Sequence, residues 1–285
     1  VGISSIAAYS SLLEAPQSNM RRGEIPDGVQ TRAFTPYVWF GDEERGLQWV
    51  CESARNWLNS DPKSAIRVSK DPGGVLFRVS LVDHPVEVGP RGLAYTFGLL
   101  ASPVKPVQKD AWDYRIVNQQ LIHYGKDFEL LIEKVDGRPI LDYYKDLGVK
   151  AIMLNNWTKI LCYTSPLGHE QELRDLVREC HKRAIKVVPY FGSQTSEWAP
   201  EWKDFGPETM VLPDYSNPDF YPGDPPQIVH VVCLNSEWQD FLVDTIARLM
   251  DEYDIDGIYM DGTAIPMPCT NRAHGCGFID ADGKL

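Results

Sequence analysis

The sequence predicts an α/β and all-β chain of two domains: an antiparallel β-sandwich over residues 1–103, then an incomplete (β/α)8 barrel of the TIM type over residues 104–285. Three observations lead to this fold class. Residues 37–101 form short runs of strand character separated by turn residues, as in sandwiches. Residues 101–110 contain two prolines and mixed charge, which indicates a linker. Beyond them helical and strand patterns alternate, which favours parallel βα units.

Six runs predict the strands of the first domain. The clearest has the period of two that a half-buried strand requires, through Val75, Phe77 and Val79. In chain order the runs are YVWFGD, LQWVCES, AIRVSK, GVLFRVSLVD, VEVG and LAYTFGLLAS.

Helix and strand patterns alternate in the second domain. Helices are predicted over residues 138–148, 169–185 and 236–253, because apolar side chains recur there at three- and four-residue steps. Short apolar runs predict buried strands at residues 149–156, 186–192 and 256–262. About four βα units are expected before the chain stops, so the barrel is predicted to be truncated.

A long insertion, residues 193–235, follows a predicted strand and precedes a predicted helix. It is therefore a βα loop, and in barrels these loops build the active-site face. We expect Trp198 and Trp202 in this insertion to line a cleft. The alternative is a loop that only covers a neighbouring domain.

Asp261 ends the last predicted strand, GIYMDG. Because side chains alternate along a strand, Tyr259 and Asp261 are expected on one side and the aliphatic Ile258 and Met260 on the other, facing helices. Asp261 would then lie at the carboxyl rim of the barrel, with Gly262 permitting a sharp turn beside it. The alternative role for Asp261 is to cap a loop.

Polar and aromatic side chains end two other predicted strands. Asn155 and Trp157 follow one strand, and Tyr190 lies near the end of another. Pyranose rings pack on aromatic faces and their hydroxyls pair with polar groups, so we predict a sugar site formed by these residues together with Tyr259.

The segment CTNRAHGCG contains two of the six cysteines. Cys269, His274 and Cys276 suggest a metal site, but no fourth ligand is apparent and the spacing is not that of a known zinc motif. A disulfide between Cys269 and Cys276, or two reduced thiols, are the other possibilities. We expect no metal and no other cofactor, and we assign Asn271 and His274 to sugar binding.

The net charge of −12, with no basic cluster, argues against nucleic acid and anionic membranes as partners. No apolar run approaches the roughly 20 residues of a membrane span, and the first residues lack a signal-peptide pattern. A carbohydrate is the expected partner. The oligomeric state is left open.

Two runs, residues 37–57 and residues 256–278, resemble bacterial glycoside hydrolases related to glycoside hydrolase family 123. The resemblance implies an N-terminal β-sandwich, a (β/α)8 barrel and hydrolysis of galactose- or N-acetylhexosamine-type glycans in polysaccharide degradation. It also implies an extracytoplasmic location.

The sequence departs from family 123 at the catalytic position. Characterised members carry an adjacent Asp-Glu pair, whereas this chain has Asp261-Gly262. That arrangement is more similar to retaining glycosidases whose nucleophilic Asp ends the fourth barrel strand, which implies the same role for Asp261. The acid/base is expected beyond Leu285 or among four carboxylates of the long insertion: Glu197, Glu201, Asp204 and Asp214.

Two other functions stay open at this stage. One is a non-catalytic carbohydrate-binding protein of the same fold, since fold alone does not decide function. The other is a metal-dependent hydrolase that uses Cys269, His274 and Cys276.

Overall fold

The computed structural model of the protein divides into two compact units. One comprises residues 1–107, 264–266 and 278–285, and the other residues 108–263 and 267–277. The residues that the structure describes are 5–9, 19–21, 28–41, 45–51, 53–106, 109, 113–119, 126–214, 217–221, 226–261, 267–279 and 283. The predicted turn at Gly262 lies outside them. The predicted domain bounds, 1–103 and 104–285, stay a prediction.

The first unit contains two antiparallel sheets. Its strands are β1 (Ser5–Tyr9), β2 (Asn19–Arg21), β3 (Gly28–Arg32), β4 (Tyr37–Gly41), β5 (Gly46–Cys51), β6 (Ile66–Asp71), β7 (Gly74–Val79) and β8 (Phe97–Ser102). The larger sheet has the order β2-β1-β4-β5-β8 and the smaller β3-β6-β7. A short 3-10 helix, Pro62–Ser64, precedes β6.

One hydrophobic cluster takes side chains from both sheets of this unit. Val38 and Trp49 come from the larger sheet and Ile66 from the smaller, and all three are buried. The packing of the two sheets as a β-sandwich stays a prediction. The strand predicted at residues 86–89 is wrong, since this run forms no strand and pairs with nothing described. Pro85 and Pro90 flank it, and proline has no N–H to give to a ladder.

The second unit combines a parallel sheet with helices and smaller sheets. Its elements are β9 (Arg115–Asn118), β10 (Lys134–Val135), β11 (Arg138–Pro139), α1 (Ile140–Asp146), β12 (Val149–Leu154), α2 (Glu170–His181), β13 (Lys186–Phe191), β14 (Gln194–Ser196), α3 (Trp202–Thr209), β15 (Asn217–Tyr221), β16 (Gln227–Val231), α4 (Trp238–Tyr253) and β17 (Tyr259–Met260), with 3-10 helices at Asp127–Leu131 and Arg272–His274.

Four parallel strands form the central sheet of this unit, in the order β17-β13-β12-β9. Strands that are consecutive along the chain apart from hairpins and loop strands are thus neighbours in the sheet, as in a curled half of a barrel. Closure into a complete (β/α)8 barrel stays a prediction. The molecule is a mixed α/β structure with several sheets.

The helices pack on one face of the parallel sheet through apolar stripes. The stripe of α2 consists of Leu173, Leu176, Val177 and Cys180, each at most 2% exposed. α4 contributes the fully buried Trp238 to the same core. Burial of a large aliphatic or aromatic side chain stabilises a fold by about 1.5–3 kcal/mol, so these stripes hold the helices against the sheet.

The long insertion is folded rather than irregular. β14, β16 and β15 form an antiparallel sheet in that order, and α3 lies between β14 and β15 along the chain. Separately, no helix among the described residues is long and apolar enough to cross a membrane.

Candidate active site

Polar side chains gather where the parallel strands end. Asn118 is the last residue of β9, and Asn155 directly follows β12. The amide of Asn155 donates to the side-chain oxygen of Asn118 over 2.8 Å. The register pairs Leu154 with Pro189, so the next residues, Asn155 and Tyr190, follow at the same end of the sheet. One edge of the sheet therefore carries a row of hydrogen-bonding groups.

Asp261 lies at this edge, directly after β17, and is exposed. Its backbone N–H donates to the carbonyl of Phe191 over 2.8 Å, which extends the pairing of β17 with β13. Its carboxylate accepts a hydrogen bond of 3.3 Å from the hydroxyl of Tyr190. Ile258 and Met260 pack against the hydrophobic core, whereas Tyr259 is 41% exposed. The alternation of the strand thus separates core side chains from rim side chains.

Tyr190 is held as a hydrogen-bond donor at this rim. Burial, followed by the negative charge of Asp261, raises the pKa of the Tyr190 hydroxyl above its usual value. The phenol therefore keeps its proton at neutral pH. Its ring centroid lies 5.9 Å from that of Tyr259, in a tilted arrangement. The pair places two aromatic rings beside an exposed carboxylate.

Trp157 does not lie on the rim, in contrast to the prediction. It is 2% exposed, and its ring stacks on Phe191 with 5.4 Å between centroids. Its indole N–H donates to the backbone carbonyl of Tyr190 over 2.8 Å. The chain turns inward after β12, so the side chain two residues beyond Asn155 fills the core. Trp157 positions Tyr190 and offers no ring face to a ligand.

The prediction from sequence missed Asp127, a buried carboxylate beneath the rim. It is 1% exposed and accepts a hydrogen bond of 2.6 Å from the backbone N–H of Asn156. Burial raises its pKa to about 7, although this hydrogen bond favours the charged form. Asp127 lies in the segment between β9 and β10, where no strand-end pattern marks it. It fixes the backbone next to Asn155.

The long insertion holds its carboxylates in contacts of its own. His230 lies between Glu197, at 2.8 Å, and Asp214, at 3.2 Å. The ring of Trp202 stacks on His230 with 4.7 Å between centroids, so one face of this indole is occupied. Trp198 is 59% exposed. Placement of either Trp side chain in a cleft with Asp261 stays a prediction.

Glu201 and Asp204 differ in environment. Glu201 is buried and accepts hydrogen bonds from the backbone N–H of Tyr163, at 2.8 Å, and the hydroxyl of Thr164, at 2.6 Å. Burial raises its pKa, and both of its oxygens serve the loop after β12. Asp204 is exposed on α3. Glu201 is therefore a structural carboxylate, which removes it from the candidates for the acid/base.

Asn271 and His274 have their described contacts within the cysteine segment. The Asn271 side chain caps the 3-10 helix by accepting from the N–H of Ala273 over 3.0 Å. The Nε2 atom of His274 contacts the carbonyl of Glu208, and its Nδ1 atom lies 3.8 Å from the sulfur of Cys269. The assignment of Asn271 and His274 to a sugar site stays a prediction.

The part of the chain that builds this site is related to glycoside hydrolases. Residues 136–262 match the model of a family described as Hypothetical glycosyl hydrolase 6. The match covers less than half of the 285 residues and does not single out family 123. It ends one residue after Asp261. No curated protein matches the chain.

Several solved glycosidases have a distant structural likeness to the chain. A GH36 α-galactosidase from Geobacillus stearothermophilus, in complex with 1-deoxygalactonojirimycin, has a TM-score of 0.47 at 11% identity, over 96% of this chain and 44% of its own. An α-galactosidase from Thermus thermophilus, with stachyose, has a TM-score of 0.43 at 11% identity over 81% and 48%. A cycloalternan-degrading enzyme from Trueperella pyogenes has 0.44 at 14% over 92% and 41%. The chain spans less than half of each, and at these TM-scores nothing about its reaction follows.

Proposed function

We propose that this chain carries part of the active site of a glycoside hydrolase in which Asp261 is the catalytic carboxylate. The observation that carries the proposal is the position of Asp261: exposed, directly after the fourth strand of the parallel sheet, and hydrogen-bonded by Tyr190. In open α/β sheets and barrels, ligands bind beyond the carboxyl ends of the strands. The family match over residues 136–262 supports the reaction class.

The surroundings of Asp261 suit a nucleophile. A carboxylate that attacks an anomeric carbon must be ionised and reachable. Asp261 is exposed, and its contact with the neutral phenol of Tyr190 is a hydrogen bond, which orients the carboxylate and leaves its negative charge in place. In the retaining mechanism this oxygen forms a bond to the sugar while a second carboxyl protonates the leaving oxygen.

We further propose a galactose- or N-acetylhexosamine-type glycan as substrate and a retaining outcome. The resemblance of residues 37–57 and 256–278 to hydrolases related to family 123 supports the sugar class. The lone Asp261, without an adjacent Glu, supports the retaining role. A second carboxyl about 5–5.5 Å away is needed for retention, and about 6.5–9.5 Å would indicate inversion. Asp204, Glu197 and Asp214 remain candidates for that group.

The test replaces Asp261 with Asn in the full-length protein, with any residues that flank this chain. The substrates are nitrophenyl α- and β-galactosides and N-acetylhexosaminides. We expect kcat to fall at least about a thousandfold, equivalent to roughly 4 kcal/mol of transition-state stabilisation, while substrate binding survives.

Asp254→Asn is the matched control. Asp254 lies before the same strand, is 88% exposed at its side chain and contacts His181 rather than the rim. Its variant should hydrolyse at the wild-type rate. Near wild-type hydrolysis by Asp261→Asn would contradict the assignment. Sugar binding by the wild type without hydrolysis of any of these glycosides would favour a non-catalytic carbohydrate-binding protein.

A further inference from the structure

We propose that Cys233, Cys269, His274 and Cys276 form a closed, structural zinc site. Sequence alone offered three of these ligands and no fourth. The fold supplies Cys233, which follows β16 and precedes Cys269 by 36 residues. The proposal concerns a site separate from the catalytic carboxylate and does not depend on the proposed reaction.

The donor atoms are already arranged at the spacing of a tetrahedron. One ligand atom from each of the four residues lies within 4.8 Å of all the others. The sulfurs of Cys233 and Cys276 are 3.5 Å apart, and the sulfur of Cys269 is 3.8 Å from Nδ1 of His274. Tetrahedral zinc with Zn–S near 2.3 Å and Zn–N near 2.0–2.1 Å gives edges of about 3.8 Å and about 3.5 Å. The two measured pairs agree with these edges.

Neighbouring groups prepare His274 to bind a metal through Nδ1. Its Nε2 atom contacts the backbone carbonyl of Glu208. A carbonyl oxygen only accepts, so Nε2 carries the proton and Nδ1 presents its lone pair toward Cys269. Metal-binding histidines generally have their second nitrogen held by such a partner. This contact fixes the tautomer that zinc requires.

N–H groups also point at the sulfurs, as they do around metal-bound thiolates. The backbone N–H of Asn271 donates to the sulfur of Cys269 over 3.4 Å. The side-chain amide of Asn235 lies 3.7 Å from the sulfur of Cys276 and donates to the carbonyl of His274 over 2.7 Å. These donors stabilise negative charge on sulfur and tie the two ligand-bearing segments together.

The ligand set selects the metal and its role. Three thiolates and one imidazole in tetrahedral arrangement favour zinc over hard cations such as Mg²⁺ or Ca²⁺. Four protein ligands fill the tetrahedron, so no position is open for water or substrate. The site therefore argues against a metal-dependent hydrolase at these residues. It would fasten the segment that begins eight residues after Asp261 to the end of the long insertion.

A disulfide is the competing fate of these thiols. All six cysteines, each of which the structure describes, are free thiols. The 3.5 Å between Cys233 and Cys276 is well beyond the S–S bond length of about 2.05 Å. A bond within the cluster would also leave one of its three cysteines unpaired. Zinc uses all three.

The experiment measures zinc by mass spectrometry of elements in the full chain, purified under reducing conditions and dialysed. We expect about one zinc per chain. Cys233→Ala and Cys276→Ala should each lower the zinc content at least fivefold. Cys180→Ala is the matched control, since Cys180 is equally a buried free thiol of this unit but lies on α2, outside the cluster. It should retain the metal.

A second measurement covers variants that fail to fold. The wild-type chain is stripped of metal and titrated with Co²⁺, whose thiolate charge-transfer and d–d absorption report the number of sulfur ligands and the tetrahedral geometry. The expected result is saturation at one Co²⁺ with three thiolates. A reduced wild type that binds neither Zn²⁺ nor Co²⁺ would overturn the proposal. So would a native disulfide within the cluster, or equal loss of zinc in Cys180→Ala.

Discussion

Replacement of Asp127 by Asn tests the electrostatics beneath the rim. The pKa of Asp127 is raised by burial from its usual 3.8 to about 7. Between these values the folded chain binds a proton that the unfolded chain has released. The stabilising contribution is therefore complete below pH 3.8 and is lost as the pH rises through about 7. This sign is opposite to that of a salt-bridged carboxylate.

The magnitude follows from the width of that interval. It spans close to three pH units, and each unit is worth about 1.4 kcal/mol, so the ionised form costs about 4 kcal/mol of unfolding free energy at about pH 8. Asn has the shape of the protonated acid, and its oxygen can still accept from the N–H of Asn156. Asp127→Asn should therefore become more stable relative to wild type as the pH rises from about 5 to about 8.

Urea unfolding followed by far-ultraviolet circular dichroism measures this difference. The four α-helices described all lie in the second unit, so the helical signal reports the unit that contains Asp127. Asp251→Asn, at an exposed position of α4, is the control and should show no such trend. A difference between Asp127→Asn and wild type that changes by less than about 1 kcal/mol over this range would refute the reasoning.

Two further substitutions test how the rim is built. Tyr190→Phe removes the donor to Asp261 and should lower kcat/KM roughly tenfold, by about 1.4 kcal/mol, with little change in Tm; steady-state kinetics and thermal melting check this, and an unchanged kcat/KM would argue against the contact. Trp157→Ala should lower the unfolding free energy by about 3–5 kcal/mol because it empties a buried site; urea unfolding measures this, and a loss below about 1 kcal/mol would contradict the core position.

Elements with a long local pattern were predictable from sequence. The predicted helix at residues 169–185 corresponds to α2 (Glu170–His181), whose predicted apolar stripe is buried. β13 and the terminal α4 also lie where the pattern indicated. Periodicity reports which face of a segment is apolar, and that face decides how the segment packs. In these segments the local signal and the tertiary packing agree.

Features that depend on distant pairing escaped the sequence. β9 (Arg115–Asn118) has only four residues and becomes a strand by pairing with β12. Cys233 joins the cysteine cluster because the fold closes 36 residues of chain. Trp157 followed a strand end, and nothing local showed that it turns toward Phe191. In each case the deciding contact lies far along the chain, beyond any window of periodicity.

Tyr190 is held at both of its ends, and this has a consequence for engineering. Its backbone carbonyl accepts from the core indole of Trp157, and its hydroxyl donates to Asp261. A single residue thus joins the most buried layer of the unit to its rim. Repacking around Phe191 to gain thermostability would move the donor that orients the carboxylate. Stabilising changes are therefore better sought away from β13, where turnover and robustness can be selected independently.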